Sequence, residues 1–238
     1  ETAYVQPKVD MHNGHIIGGE ALVRWQNDKE MIYPDQFIPV LEKNGYVIDV
    51  DNFIWNKVCA CIKMMEDKGI EPVPISVNVS RMHVYQEKFT ENLKNMAGEY
   101  GIDPKYIPLE ITESAFTKEE GSLFKKVQSL QGYGFKFSMD DFGSGYSSLG
   151  MLKSERVDEV KIDKTFVDDI ATDKGKVLLG NVIRMINELG IDMIAEGVET
   201  KEQADFLKEN GCMYAQGYYY YKPMPIEEFA KLLENSAR

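Results

Sequence analysis

The sequence predicts a modified TIM-type (β/α)8 barrel of the α/β class, with its first strand antiparallel to the others. Three observations point there. Eight short β-type runs are spread along 238 residues, close to the size of one such barrel. Segments of helical period separate most of them, which implies a largely parallel sheet. The first two runs are joined by a connection too short for a parallel crossover.

In chain order, Tyr4–Val9 is the first run and Gly18–Trp25 the second, with Asn13-Gly14 between them as a hairpin signal. A helix follows with the apolar stripe Ile54, Val58, Cys61, Ile62 and Met65. Then come the strands Pro74–Ser80, Ile107–Thr112, Phe135–Asp140 and Glu159–Asp163. A second stripe, Leu178, Val182, Met185, Ile186 and Leu189, marks the helix before Asp192–Glu196, and Met213–Gln216 closes the set.

Composition narrows the function. The chain is 43% hydrophobic and carries a net charge of −12, which argues against wrapping duplex nucleic acid. A small phosphate ligand remains compatible if cations lie between acidic side chains and phosphates. No apolar run reaches the ~18 residues of a membrane helix, and no signal peptide opens the chain. Cys59, Cys61 and Cys212 are too few and too scattered for a disulfide framework, and they fit a reducing, cytoplasmic compartment. The immediate entry into a strand reads as a single domain, 1–238, cut from a longer signalling polypeptide whose missing regions could anchor it to a membrane.

The strands carry the chemistry. Ser76, Asn78 and Ser80 alternate with Ile75, Val77 and Val79; Glu110 and Thr112 alternate with Leu109 and Ile111. Lys136, Ser138 and Asp140 alternate with Phe135, Phe137 and Met139, and Lys161 and Asp163 with Val160 and Ile162. The outer helices require the apolar face, so the polar face points into the barrel. Glu20, Asn78, Glu110, Asp140, Asp141, Lys161 and Glu196 then converge at the C-terminal mouth, where barrel enzymes hold their active sites. Crowded carboxylates without cations would repel and rise in pKa. Oxygen donors without His or Cys suit Mg²⁺ or Mn²⁺, and the adjacent Asp140-Asp141 suits a pair of ions.

The same residues resemble a known family. Glu20-Ala21-Leu22 within Gly19–Trp25 is similar to the signature of the EAL phosphodiesterases, which cleave cyclic di-GMP. So are Gln6-Pro7, Phe37-Ile38-Pro39 with Glu42, Asn78 with Ser80, and Glu110–Glu113. The series continues through Asp140–Leu149, Lys161-Ile162-Asp163, Ala195–Thr200, and Gln216-Gly217-Tyr218 with Pro223.

The resemblance implies hydrolysis of cyclic di-GMP to 5′-pGpG with two Mg²⁺ or Mn²⁺ ions. It assigns Glu20, Asn78, Glu110 and Asp140 to one ion, and Asp140, Asp141 and Glu196 to the other. Lys161 and Glu196 would be the catalytic pair. Gln6, Leu22 and Arg24 would contact substrate, with Glu199 and Gln216 supporting it. The loop Phe142–Ser148, including Gly143, Ser144 and Gly145 and anchored by Glu113, would link the metal site to a homodimer interface. Flanking sensory or cyclase domains are the expected neighbours. The principal alternative is a catalytically silent receptor for the same dinucleotide; an unrelated metal-dependent barrel enzyme, such as an aldolase, leaves the ordered motifs unexplained.

Two departures stand out. Lys8 follows Gln6-Pro7 where the family often has an apolar residue, and Ser144 stands where threonine is common. Glu42 reads equally as a loop brace or a site residue, and Asp163 as a partner for a neighbour inside the barrel. His12 and His15 belong to a solvated hairpin tip, and His83 carries no signal. Tyr218–Tyr221, on a strand exit, divide between packing and solvent, with guanine stacking as the alternative role.

Overall fold

The computed structural model describes residues 2–26, 31–113, 115, 120–143, 152 and 157–236. Eight strands close a barrel: β1 (Thr2–Asp10), β2 (Ile16–Gln26), β4 (Ile75–Asn78), β5 (Leu109–Thr112), β6 (Phe137–Phe142), β7 (Glu159–Ile162), β8 (Asp192–Ala195) and β9 (Tyr214–Ala215). β1 pairs antiparallel with both β2 and β9, and the pairs from β2 round to β9 are parallel. Asp10 stabilises the hairpin that reverses β1: its carboxylate accepts from the His12 backbone N–H and the Asn13 amide.

Two short strands lie outside the sequence expectation. β3 (Met31–Ile32) pairs with β2, and β10 (Met224–Pro225) pairs with β1. At two residues each they are too short to show a period. The expected strand ends also shift. Ser80 caps a helix instead of ending β4, and the backbone of Tyr218–Tyr221 leaves the sheet as a turn.

Nine helices are described: α1 (Pro34–Asn44), α2 (Val47–Asp67), α3 (Arg81–Tyr85), α4 (Phe89–Tyr100), α5 (Glu120–Gln131), α6 (Lys164–Asp168), α7 (Asp173–Glu188), α8 (Lys201–Glu209) and α9 (Ile226–Ser236). Caps set several starts. The Thr200 hydroxyl accepts from the Gln203 N–H while Gln203 Oε1 accepts from the Thr200 N–H, a capping box for α8. Asp163 does not pair inside the barrel as expected; its carboxylate caps α6 by accepting from the Thr165 N–H at 2.9 Å.

The α2 stripe Ile54, Val58, Cys61, Ile62 and Met65 is buried. The α7 stripe is corrected: Leu178 and Leu189 are 52% and 49% exposed, and the buried face is Gly175, Leu179, Ile183 and Ile186. Gly175 determines this choice, because a Cβ there would lie 1.9 Å from the Asp169 carbonyl oxygen, so the helix seats that face on its neighbour.

The apolar faces of the strands, Val5, Val77, Leu109, Ile111, Met139, Val160 and Ile162, form the core with these helices. The barrel interior is polar. Gln6, Lys8, Glu20, Ser76, Glu110, Ser138, Lys161 and Gln216 are all buried there. Register sets their levels: Gln6 lies opposite Glu20 and Glu20 opposite Ser76, while Asn78 faces Glu110 and Glu110 faces Ser138.

Candidate active site

Lys161, from the third position of β7, is the centre of the site. Its Nζ lies 2.7 Å from Glu110, 2.7 Å from Glu196, 2.9 Å from Asp140 and 3.3 Å from Glu20. Burial works against its charge, yet Asp140, Glu110, Glu196 and Glu20 together hold its pKa well above the usual lysine value.

Glu110 is gripped from two sides. Its Oε2 accepts from Lys161 at 2.7 Å and its Oε1 from Lys8 at 3.0 Å. Burial alone would raise this carboxyl, but Lys161 and Lys8 overcome it and bring the pKa down to about 2. Lys8 also lies 3.5 Å from Glu159, which accepts from the Ser138 hydroxyl at 2.8 Å. Along the barrel the charges therefore alternate: Glu159, Lys8, Glu110, Lys161, then the mouth carboxylates.

Asp140 and Asp141 reach the mouth together because β6 bulges. Met139 faces Val160 and Phe142 faces Ile162, so two aspartates stand opposite the single Lys161. Asp141 adopts φ 56, the sole positive φ among described non-glycine residues. Regular alternation would have sent one of the pair outward. Oxygens of Asp140, Asp141 and Glu196 lie within 4.8 Å of one another, an arrangement able to hold a metal ion. Burial, reinforced by Asp140, raises the Asp141 carboxyl. Burial also raises Glu196, to about 8, against the pull of Lys161.

The donor chemistry fits a hard cation. Gln216 Oε1 is buried and accepts no hydrogen bond among the described residues, while the equally buried Asp140 Oδ1 is ion-paired with Lys161 Nζ at 2.9 Å. Asn78 is exposed at the mouth, and its Nδ2 donates to Glu20 Oε1 at 3.1 Å, which reserves its carbonyl oxygen for another partner. Buried acceptors without donors are costly unless a cation or water completes them.

The remaining candidates divide by position. Gln216 Nε2 donates to Glu20 Oε2 at 2.6 Å and to Gln6 Oε1 at 3.1 Å, and Gln6 donates to the Tyr221 carbonyl, so these residues brace one another beside Glu20. Arg24 is buried above the rings of Tyr4 and Tyr33, 5.9 and 5.7 Å from their centroids, with one N–H on the Val23 carbonyl. Leu22 lines a cavity of about 400 Å³ with Pro39, Glu42, Asp51, Asn78 and Arg81. Glu199 is exposed on the rim, paired with Lys164 at 3.0 Å and separate from the Lys161 cluster. Glu113 is buried, and its Oε2 accepts from the Gly143 N–H at 3.2 Å. Phe142 is buried, whereas Ser144 and Gly145 lie outside the described residues.

Three features escaped the sequence reading. Lys8 stands out in sequence only as a departure from an often apolar family position; β1 turns it into the barrel. His83 is 2% exposed, stacked 4.4 Å from Trp55. Asp51 is buried on α2 and accepts from the Ser80 N–H at 3.0 Å. An aspartate within an apolar helical stripe was the available signal for Asp51. His12 and His15 are exposed at the hairpin, and Cys59, Cys61 and Cys212 are buried free thiols.

A barrel with a reversed first strand and a mouth of carboxylates around one lysine defines a class of barrel proteins with an acidic mouth able to hold a cation. Residues 2–223 match the EAL domain family, and the chain belongs to it. It is 32% identical to the cyclic di-GMP complex of the PaMucR phosphodiesterase, with a TM-score of 0.90 over 95% of this chain and 93% of that one. An EAL domain protein of Listeria monocytogenes superposes with a TM-score of 0.83 at 32% identity, covering 97% of this chain and 91% of that one. Among curated relatives, the oxygen sensor protein DosP of Escherichia coli is 35% identical across 94% of this chain and 28% of its own length. The probable cyclic di-GMP phosphodiesterase PdeG of E. coli is 33% identical across 97% and 46%. The chain thus spans less than half of these two proteins. No described helix is long and apolar enough to cross a membrane.

Proposed function

We propose that this chain hydrolyses one phosphodiester bond of cyclic di-GMP, giving linear 5′-pGpG, with two Mg²⁺ or Mn²⁺ ions at the barrel mouth. The observation that carries the reading is the convergence of Glu20, Glu110, Asp140 and Glu196 on Lys161, with Asp141 brought alongside by the bulge. Glu20, Asn78, Glu110 and Asp140 would hold one ion, and Asp140, Asp141 and Glu196 the other. Bound there, divalent cations would neutralise the phosphoryl oxygens and make water acidic enough to ionise near neutral pH.

The chain's own groups have distinct tasks. Lys161 Nζ orients the attacking water and balances the charge that develops on the phosphoryl group. A divalent cation beside Glu196 would offset the burial that raises its carboxyl and keep it ionised, so that it would accept a proton from that water. The water oxygen would bond to phosphorus as the P–O3′ bond breaks, and O3′ would leave as a hydroxyl on taking up the proton held by Glu196. Arg24, preorganised by Tyr4 and Tyr33, takes a phosphate or guanine edge, and Leu22 and Gln6 flank it. Gln216 fixes Glu20, and Glu199 closes the rim through Lys164.

The test is incubation of the purified domain with cyclic di-GMP and Mg²⁺ or Mn²⁺, followed by chromatography. Formation of pGpG that stops on chelation supports the proposal. Tight binding without product would favour the silent receptor instead, and absence of both would overturn the substrate assignment.

A further inference from the structure

Asn78 ends β4 and stands where the ladder gives out: Val79 N–H still donates to the Glu110 carbonyl, but the chain then turns into α3. Two side chains of α2 hold the backbone here from outside the barrel, one at Asn78 and one at Ser80. The Trp55 indole Nε1–H donates to the Asn78 carbonyl at 3.0 Å. One turn earlier on the same face, Asp51 Oδ2 accepts from the Ser80 N–H at 3.0 Å. A helix face thus supplies one donor and one acceptor to the residues on either side of Val79.

Both clamping residues are themselves fixed. Trp55 is 2% exposed and Asp51 8%. The indole is packed by the His83 ring at 4.4 Å and the Phe89 ring at 6.4 Å. Trp55 and Asp51 make no hydrogen bond to the Lys161 cluster among the described residues; the indole acts on the mouth through the Asn78 carbonyl, and Asp51 through Ser80. Asn78 then donates from Nδ2 to Glu20 Oε1 at 3.1 Å, which fixes the direction of its own carbonyl oxygen.

We infer that Trp55 and Asp51 are positioning residues for Asn78, and that the indole hydrogen bond sets how well its amide oxygen binds a divalent cation. The inference rests on the proposed role of Asn78 as a ligand. Small displacements of a ligand weaken a metal site, and residues that orient ligands typically change affinity by about 10- to 100-fold. A side chain acting at one remove, on a single ligand, belongs at the lower end of that range.

The experiment is Mn²⁺ binding to the purified domain without substrate, by calorimetry, for wild type, Trp55→Phe, Asn78→Ala and the double variant. Trp55→Phe keeps an aromatic ring and removes the N–H; it is expected to weaken Mn²⁺ binding about 5- to 10-fold. In the Asn78→Ala background the same change is expected to have no further effect, because its route to the ion is gone. Asp51→Leu, which removes the acceptor for Ser80, should weaken Mn²⁺ binding in the same direction. Phe89→Leu loosens the same aromatic cluster without touching Asn78, and should lower Tm while leaving Mn²⁺ affinity unchanged.

Unchanged affinity in Trp55→Phe would overturn the inference, as would equal weakening by Phe89→Leu or full additivity with Asn78→Ala. An Asn78→Ala variant that binds Mn²⁺ normally would instead overturn the ligand role of Asn78, and with it the proposal built on that role.

Discussion

Lys161 lies within 3.3 Å of Glu20, Glu110, Asp140 and Glu196, and no other charge at the mouth serves so many partners. Lys161→Ala is expected to retain cyclic di-GMP binding in the presence of metal and to lose at least about 100-fold in turnover, the usual scale for a positioned proton-handling group. Steady-state kinetics alongside equilibrium binding checks this; loss of binding alone would contradict the role. Asp51 and His83 give opposite responses to pH. Burial pushes the Asp51 carboxyl up to about 7, so its contribution to stability is complete below its unfolded value and is lost as pH rises through 7. Burial pulls the His83 imidazole down to about 4, so its contribution is present above its unfolded value of 6.5 and is lost as pH falls toward 4. Taken separately, the two slopes oppose each other between about pH 4 and 6.5, and the 3.6 Å separation of His83 Nε2 from Asp51 Oδ2 couples the two titrations. Asp51→Asn should therefore make Tm rise with pH across that window, and His83→Gln should make it fall. Thermal melts at several pH values decide the matter.

At the scale of elements, two backbone features shape the mouth. The β6 bulge holds Asp141 at φ 56, a conformation that costs a non-glycine residue of order 1 kcal/mol. Asp141→Gly should keep or slightly raise stability, by up to about 1 kcal/mol, while weakening Mn²⁺ binding through loss of the carboxylate. Denaturant unfolding and calorimetry separate the two effects. The segment after β9 packs backbone against backbone: a Cβ on Gly217 would lie 2.1 Å from the Val198 carbonyl oxygen and 2.3 Å from its nitrogen. Gly217→Ala should cost about 3 kcal/mol or more and displace Gln216, which hydrogen-bonds Glu20. Local signals mark some helix starts, such as Thr200 with Gln203, but the apolar stripes place helices without giving their ends. The α7 face is not, since Leu178 and Leu179 fit a helical stripe equally well until Gly175 meets Asp169.

Across the whole molecule, the interior replaces the aliphatic layers common in such barrels with a column of alternating charge from Glu159 through Lys8 and Glu110 to Lys161. Breaking a buried pair leaves its partner uncompensated, at a cost of about 3–5 kcal/mol. Lys8→Met is expected to destabilise by that order, because Glu110 and Glu159 both lose it; adding Glu159→Gln should recover part of the loss. Denaturant melts of the two variants test the column. Carboxylates gathered at the mouth also link metal binding to stability. Mn²⁺ at about 100 times its Kd should stabilise the fold by about 2.7 kcal/mol. Glu20→Ala should remove that gain together with hydrolysis, and unchanged activity in this variant would contradict the metal assignment.

The barrel, its reversed first strand and the inward polar face are all legible in the amino-acid chain. Hydrophobic alternation, helix period and the Asn13-Gly14 hairpin are all short-range signals, and the ordered motifs of the EAL family run along the whole chain. Tertiary structure decided which side chains meet. Alternation alone would have separated Asp140 from Asp141, and only the unequal register of β6 against β7 aims both at one mouth. Lys8 was only a departure from an often apolar position; closure of β1 between β2 and β9 buries it against Glu110. Trp55, Asp51 and His83 lie on helices whose contact with the end of β4 joins residues more than twenty positions apart. Those relations depend on register, closure and packing, which are set by the assembled barrel and are not encoded in any local stretch of chain.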